Sequence, residues 1–328
     1  MTEKRKNSST VYSWFEENQD NGHLKILAGV RGAGKTHALE KIRRKLTTAG
    51  KTVVSVDFEA PENRQVKTCR DALRLLDLDS RSGEKHVFLD EVGFLPDHRK
   101  LLGVLFADKE CRILLSTSNA RVLHPDCLGY FSGCYTRYDL FPDPARARSA
   151  TELDSVWNKA FVRDVLGGNS LADAYAEERI AEYFADHVGE FISSRKVADD
   201  VNFAGYRIAH VTAGQYMQLL EDAFLVEKVP QWDAFSASAS MRRFAYFFTD
   251  TELRDYFFRS TGGPANERKA LNAAYVALRR DFRCPVYVAS RTDDADADFV
   301  TVEGTSAQFW KADRREHGLY SHVGRETK

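Results

Sequence analysis

The sequence predicts an α/β protein: a doubly wound parallel sheet built around a phosphate-binding loop, followed by a helical winged helix-turn-helix and a small α/β domain. Three observations carry this. Gly29-Val30-Arg31-Gly32-Ala33-Gly34-Lys35-Thr36 fits G-x-x-x-x-G-K-[ST]. Apolar runs of strand length alternate with stretches of helical period as far as Pro142, the signature of a parallel sheet. The alternation then stops in the Pro/Ala/Arg-rich stretch from Asp143 to Ser149, and helical spacing takes over to about residue 230.

The elements follow in order. Residues 1–22 read as a loose leader with one short helix around Val11 to Phe15. His23 to Leu27 is a buried strand entering the glycine loop. Leu39, Ile42 and Leu46 then define a helix with Arg43, Arg44 and Lys45 on its other face. Strand, loop and helix thus arrive in the order that aims helix N-terminal amides at a phosphate. Lys51 to Phe58 is a β-branched strand ended by Glu59-Ala-Pro61, and Val66, Cys69, Leu73 and Leu76 mark an amphipathic helix. Lys85 to Glu91 is an apolar strand closing on two carboxylates. A helix around Leu101 to Phe106 leads to the strand Cys111 to Ser118, and a further strand spans Cys134 to Leu140. Ligands of such sheets bind beyond the carboxyl ends of the strands, where the glycine loop, Asp90-Glu91 and Ser116 to Asn119 all fall.

The predicted domains are a leader (1–22), a nucleotide-binding domain (23–146), a winged helix-turn-helix (150–230), an α/β domain (231–313) and a loosely held polar tail (314–328). In the winged helix-turn-helix segment Ile180, Phe184, Val188 and Phe191 line one face of a long helix. Ser194 to Val201 is a short helix, Thr212 is the expected N-cap of a third carrying Tyr216, Leu219, Leu220 and Phe224, and Leu225 to Val229 is the wing strand. Farther on, Leu271, Ala274, Tyr275 and Leu278 define a helix. Pro285 to Val288 and Asp298 to Val302 are strands, and the acidic Asp293 to Asp298 is a solvated loop.

Composition excludes several classes. Lys+Arg total 47 against 48 Asp+Glu, so no bulk positive field draws the whole chain to nucleic acid. The five cysteines, Cys69, Cys111, Cys127, Cys134 and Cys284, form no C-x-x-C pair and suit reduced thiols. The basic start, Met1 to Lys6, is followed by polar residues rather than an apolar h-region. No run approaches the ~18 apolar residues of a membrane span. The expectation is a cytoplasmic protein without a membrane partner.

The chemistry follows from residue types at the strand ends. The nucleotide-binding set is Gly29, Val30, Arg31, Gly32, Ala33, Gly34, Lys35, Thr36 and His37. Its glycines let backbone amides turn to phosphate oxygens, Lys35 supplies a point charge near the β and γ phosphates, and Thr36 with Asp90 forms the Mg2+ site. Glu91 is placed to orient or deprotonate an attacking water, making Glu91 and Lys35 catalytic candidates with Ser118 and Asn119, which end the neighbouring strand. Ser118-Asn119 reads equally as a helix N-cap. Asp90-Glu-Val-Gly93 also matches the D-x-x-G of GTPases, but the guanine-reading N-K-x-D is missing, since Asn158-Lys159 is followed by Ala160-Phe161. ATP is therefore the expected nucleotide. Arg121, Arg137 and Arg146 are the candidates for an arginine acting on a neighbouring subunit, should the chain form homo-oligomers. Arg195, Lys196, Arg207 and His210 flank the helix-turn-helix, yet its second helix carries Gln215, Gln218, Glu221 and Asp222, poor equipment for a phosphate-lined groove.

With these motifs assembled, the chain resembles a family of bacterial and archaeal AAA-type P-loop ATPases whose ATPase domain is followed by a winged helix and a C-terminal domain related to PD-(D/E)xK nucleases. The carriers are Ile26 to Thr36, Val87-Phe-Leu-Asp-Glu-Val92, Ile113 to Ser118, Tyr138-Asp-Leu-Phe-Pro142 and Tyr216 to Leu225. The resemblance implies an AAA-like domain at 23–146. Three departures matter. The family's Gly-Arg before the last ATPase strand is Gly133-Cys134 here, its Glu-Asn helix appears as Leu271-Asn272, and its Glu-Val-Asp-Phe as Asp296-Ala-Asp-Phe299. No E-x-K follows, as Glu303 precedes Gly304-Thr305 and Lys311 sits in Gln308-Phe-Trp-Lys. A metal-dependent nuclease needs converging carboxylates and a lysine, and Asp298 alone persists, so the C-terminal domain is expected to be a scaffold without catalysis.

The reading is an Mg2+-dependent ATP-binding protein and slow ATPase that switches an unidentified protein partner. The alternative is a DNA-associated, nuclease-related factor of mobile-element or phage-defence type regulated by ATP, with DNA on the winged helix. A small-molecule kinase is weaker, because the chain shows no arginine-rich lid and Glu91 suits water better than an acceptor.

Overall fold

The computed structural model describes residues 10–131, 133–160, 174–233, 236–258, 265–282, 284–290, 297–314 and 320–327. Two compact units, Ser9–Pro142 and Asp143–Lys328, divide the chain.

The first unit opens with α1 (Val11–Asn18), β1 (Leu24–Ala28), α2 (Lys35–Thr48), β2 (Thr52–Asp57) and α3 (Cys69–Leu76). It continues through β3 (Lys85–Asp90), α4 (His98–Ala107), β4 (Cys111–Thr117), α5 (Pro125–Leu128) and β5 (Tyr135–Asp139). The sheet runs β2-β3-β4-β1-β5, with every neighbouring pair parallel. Strand chemistry follows position. β1, β3 and all but one residue of β4 are buried along their length, as strands covered on both faces must be. The edge strands β2 and β5 are partly exposed along their length.

α1, placed by composition in a loose leader, is instead part of this core. Trp14 and Phe15 are buried with Leu27, Leu39, Ile42, Leu46, Phe88 and Leu114, and Trp14 lies 5.5 Å from the Tyr138 ring. Two large aromatic side chains withdrawn from water outweigh the polar surroundings that made the segment look loose.

The second unit contains α6 (Ala150–Lys159), α7 (Ala174–Asp186), α8 (Ser194–Phe203), α9 (His210–Asp222), β6 (Val226–Asp233) and β7 (Ser238–Phe248). α10 (Thr251–Phe257), α11 (Ala265–Asp281), β8 (Val286–Val288), β9 (Phe299–Glu303), β10 (Ser306–Ala312) and β11 (Tyr320–Thr327) complete it. A mixed sheet runs β11-β10-β9-β8-β6-β7, so the strand expected as a wing is continuous with the C-terminal strands. Only β6 and β8 pair in parallel.

Three local expectations change here. α9 begins at His210 with extended Ala209 as N-cap, so Thr212 lies inside the first turn and caps nothing. The entry is set upstream, where the Asn202 side chain accepts from Ile208 N at 2.7 Å and donates to Ile208 O at 3.0 Å. α7 ends at Asp186, and Gly189 turns the chain at φ 78°, so Val188 is buried from a loop and Phe191 bridges to Ala245. The polar tail is partly a strand. Tyr320–Thr327 pairs with β10, and the rings of Tyr320 and His322 meet Trp310 edge to face, with centroids at 5.2 and 5.1 Å. Main-chain bonding at a sheet edge needs no apolar run, which is why hydropathy does not reveal it. Most of the acidic stretch from Asp293 lies outside the described residues.

Candidate nucleotide site

The site assembles where β1, β3 and β4 end. Gly29 leaves β1 at φ 153°, and a Cβ there would meet Leu140 O at 2.2 Å, so the closeness of the chain after β5 requires glycine. Gly32 and Gly34 take left-handed φ of 79° and 94°, the second as the N-cap of α2. The glycine-rich path turns the loop back over the first turn of α2, with Thr36 and His37 exposed there.

Lys35 is buried, with two hydrogen bonds and an ion pair at its ammonium group. Its Nζ donates to Gly29 O at 2.8 Å and Val30 O at 3.1 Å, and lies 3.2 Å from Glu91 Oε1. Glu91 Oε2 accepts from Ser118 N at 2.9 Å and Ser118 Oγ at 2.8 Å. Burial pushes the Glu91 carboxyl up, but the charges of Lys35 and Arg31 and the Ser118 hydrogen bonds outweigh it and hold the group below the usual carboxylate range. Glu91 adopts φ 48°, ψ 50°, a left-handed conformation costing on the order of 1 kcal/mol. The turn brings its side chain to Lys35 directly after the strand.

Ser116 ties the two acids together. Its Oγ donates to Asp90 Oδ1 and accepts from Glu91 N at 2.9 Å. Thr36 also hydrogen-bonds the Asp90 side chain, yet burial prevails and raises the Asp90 carboxyl. A desolvated carboxylate beside an exposed hydroxyl is a hard-oxygen pair suited to a divalent ion such as Mg2+. Among the described residues no group of three or more His, Cys, Asp or Glu side chains is placed to hold a metal by itself. Mg2+ at a nucleotide needs only one or two protein oxygens, with phosphates and water completing its shell.

The structure thus brings Lys35, Thr36, Asp90, Glu91 and Ser118 together. Asn119 is spent elsewhere, accepting from Arg121 N at 2.9 Å as the cap of a short turn, the N-cap alternative read from the sequence. Arg137 pairs with Asp139 at 2.5 Å, and Arg146 belongs to the second unit, where it pairs with Glu152 at 3.1 Å. Ser116 is the linking residue that sequence reasoning did not single out. Its signal is a hydroxyl inside the otherwise apolar run Ile113-Leu-Leu-Ser116.

In the second unit, Asp298 Oδ2 accepts from Ala312 N at 2.9 Å and Oδ1 lies 3.3 Å from Arg314 Nη2. Asn272 is buried, accepting from Phe248 N at 2.9 Å and donating to Phe248 O at 3.1 Å, so its amide acts as one more strand residue beside β7.

Comparison with known proteins agrees with the first unit. Residues 21–146 match the model of an AAA domain. Residues 135–261 match a Domain of unknown function (DUF8612). An uncharacterized protein of Haemophilus influenzae is 22% identical over 323 residues, covering 86% of this chain and 80% of its own. Among solved structures, the Walker-type ATPase PABY2304 of Pyrococcus abyssi aligns at 14% identity over 76% of this chain and 95% of its own, with a TM-score of 0.48. AMPPCP-bound DnaA from Aquifex aeolicus aligns at 14% identity over 64% of this chain and 86% of its own, with a TM-score of 0.31. Among the described residues no helix is long and apolar enough to cross a membrane.

Proposed function

We propose that this chain is an Mg2+-dependent ATP-binding protein and slow ATPase, whose nucleotide state is passed to a partner. The observation that supports it most is the convergence of Lys35, Thr36, Asp90 and Glu91 at one sheet edge beneath a glycine loop. The triphosphate lies along the loop amides. Lys35 exchanges the Glu91 carboxylate for phosphate oxygens, and Thr36 and Asp90 hold Mg2+, which neutralises charge on the phosphates.

Glu91, released from Lys35 but still oriented by Ser118, then accepts a proton from water as the water oxygen bonds to the γ-phosphorus. The bond from that phosphorus to the bridging oxygen breaks, and its electron pair stays on the diphosphate. The Lys35–Glu91 pair of the free protein is broken as the triphosphate binds, so it weakens nucleotide affinity. Glu91→Gln keeps shape and hydrogen bonding and removes the base. ATP affinity is expected to stay within about threefold while steady-state phosphate release falls by about 10²-fold or more. Unchanged release by that variant would remove Glu91 from the role.

A further inference from the structure

The second unit holds a cavity of about 730 Å³, formed by residues of α11, of strands β6 to β9 and of the turn after α7. That volume suits a small organic ligand. Its apolar lining is Phe191, Leu271 and Val288, half-buried, with fully buried Phe247 and Phe299. Arg243, Arg268 and Arg314 share the wall with Glu190, Glu267 and Asp298.

Arg268, Arg314 and Lys196 take up the three acids. Arg314 lies 2.8 Å from Glu267 Oε2 and 3.3 Å from Asp298 Oδ1. Arg268 lies 2.6 Å from Glu190 Oε1 and also donates to Asp186 O, and Lys196 lies 3.2 Å from Glu190 Oε2. Arg243 has no carboxylate partner among the described residues. Its Nη1 donates to Gln231 Oε1 at 3.3 Å, and its guanidinium lies 5.0 Å from the centre of the Phe191 ring. A neutral amide and an aromatic face thus hold it, and its Nε and Nη2 have no partner among the described residues. Gln231 is 9% exposed, and its amide nitrogen likewise has no partner among the described residues. An uncompensated positive charge and an unused amide donor therefore stand side by side in a cavity with an apolar lining.

One negative charge completes that balance. A planar guanidinium matches a carboxylate through two parallel N–H bonds, and a neighbouring amide N–H can reach the same oxygens. The apolar lining calls for a hydrocarbon or aromatic body attached to that carboxylate. A polyanion fits poorly, because the three carboxylates of the wall would repel its further charges. We propose that this cavity is a binding site for a small monocarboxylate with an apolar body, held at its carboxylate by Arg243 and Gln231. The site is independent of nucleotide binding by the first unit.

The test is ligand-detected NMR on the full chain with octanoate, phenylbutyrate and indoleacetate, each measured against its neutral primary amide. It compares the wild type with Arg243→Gln, Arg243→Lys and Arg242→Gln, the last an exposed neighbour outside the cavity lining. At least one acid should bind saturably with a Kd at or below about 1 mM. It should bind at least about tenfold tighter than its amide, the difference expected for one charge-assisted pair. Arg243→Gln should bring acid and amide within about threefold of each other, with Arg243→Lys keeping part of the preference and Arg242→Gln all of it. Melting curves of the variants that overlay the wild type place the loss in binding rather than in folding. No saturable binding by any of the three acids, equal affinity for acid and amide in the wild type, or a preference that survives Arg243→Gln would each overturn the proposal. So would displacement of the bound acid by duplex DNA at matched ionic strength, which would mark a polyanion site.

Discussion

At the scale of residues, the site is a set of desolvated charges that satisfy one another until phosphate arrives. Lys35 spends its protons on two carbonyls and Glu91, and Glu91 spends its oxygens on Lys35 and Ser118. The sign of the pH dependence follows. The folded Glu91 carboxyl titrates below its unfolded value, so its stabilising contribution is present above the ordinary carboxylate range and is lost as pH falls through the folded value. The nucleotide-free protein is therefore expected to lose stability on this group's account only as pH falls below the ordinary carboxylate range. Urea midpoints of the wild type and Glu91→Gln that fall in parallel through that range would contradict this. The motif residues were legible in the sequence because the phosphate loop restricts residue types. Ser116 was not, since a hydroxyl without a motif gives no hint of its partner.

At the scale of elements, β1, β3 and β4 were readable because strands covered on both faces bury consecutive apolar residues, Ile26-Leu27, Val87-Phe88-Leu89 and Ile113-Leu114-Leu115, with their polar residues towards the strand ends. Strand order was not, for nothing in Cys111–Thr117 states that it lies between β1 and β3. The Thr212 cap failed for a similar reason: the Asn202 bonds that fix the entry to α9 come from the preceding helix. Two predictions belong here. Arg148 precedes α6 and pairs with Asp250, the buried N-cap of α10, at 2.5 Å and with Glu252 at 2.6 Å. Arg148→Ala strands the Asp250 carboxylate in the core and should cost about 3–5 kcal/mol, read as a lowered urea midpoint. A loss below about 1 kcal/mol would mean that the carboxylate finds water.

Glu177 on α7 is fully buried, neither carboxyl oxygen has a hydrogen-bond partner among the described residues, and burial raises its pKa to about 8. A group raised above its unfolded value stabilises fully below the unfolded pKa, and that contribution fades as pH rises towards about 8. Stability should therefore decline by up to about 1.4 kcal/mol per pH unit across that window on this group's account. Glu177→Gln should flatten the decline. Melting curves of both proteins from pH 5 to 9 with the same slope would refute the assignment.

At the scale of the whole molecule, the chain divides at Pro142/Asp143 into a unit with a parallel sheet, where most of the match to an AAA domain falls, and a unit with its own mixed sheet. The change of composition from Asp143 onward reveals that break, while the continuity of β6 and β7 with the C-terminal strands stays hidden. Pairing across a gap as long as that from Asp233 to Val286 leaves no periodic trace. The proposed function depends on the first unit binding a triphosphate with its ion. Titration calorimetry of the purified chain with Mg2+ and ATP tests this most directly. A saturable heat from the wild type that vanishes in Lys35→Ala is the predicted result. No heat from the wild type at any workable concentration, or unchanged affinity in the variant, would contradict it.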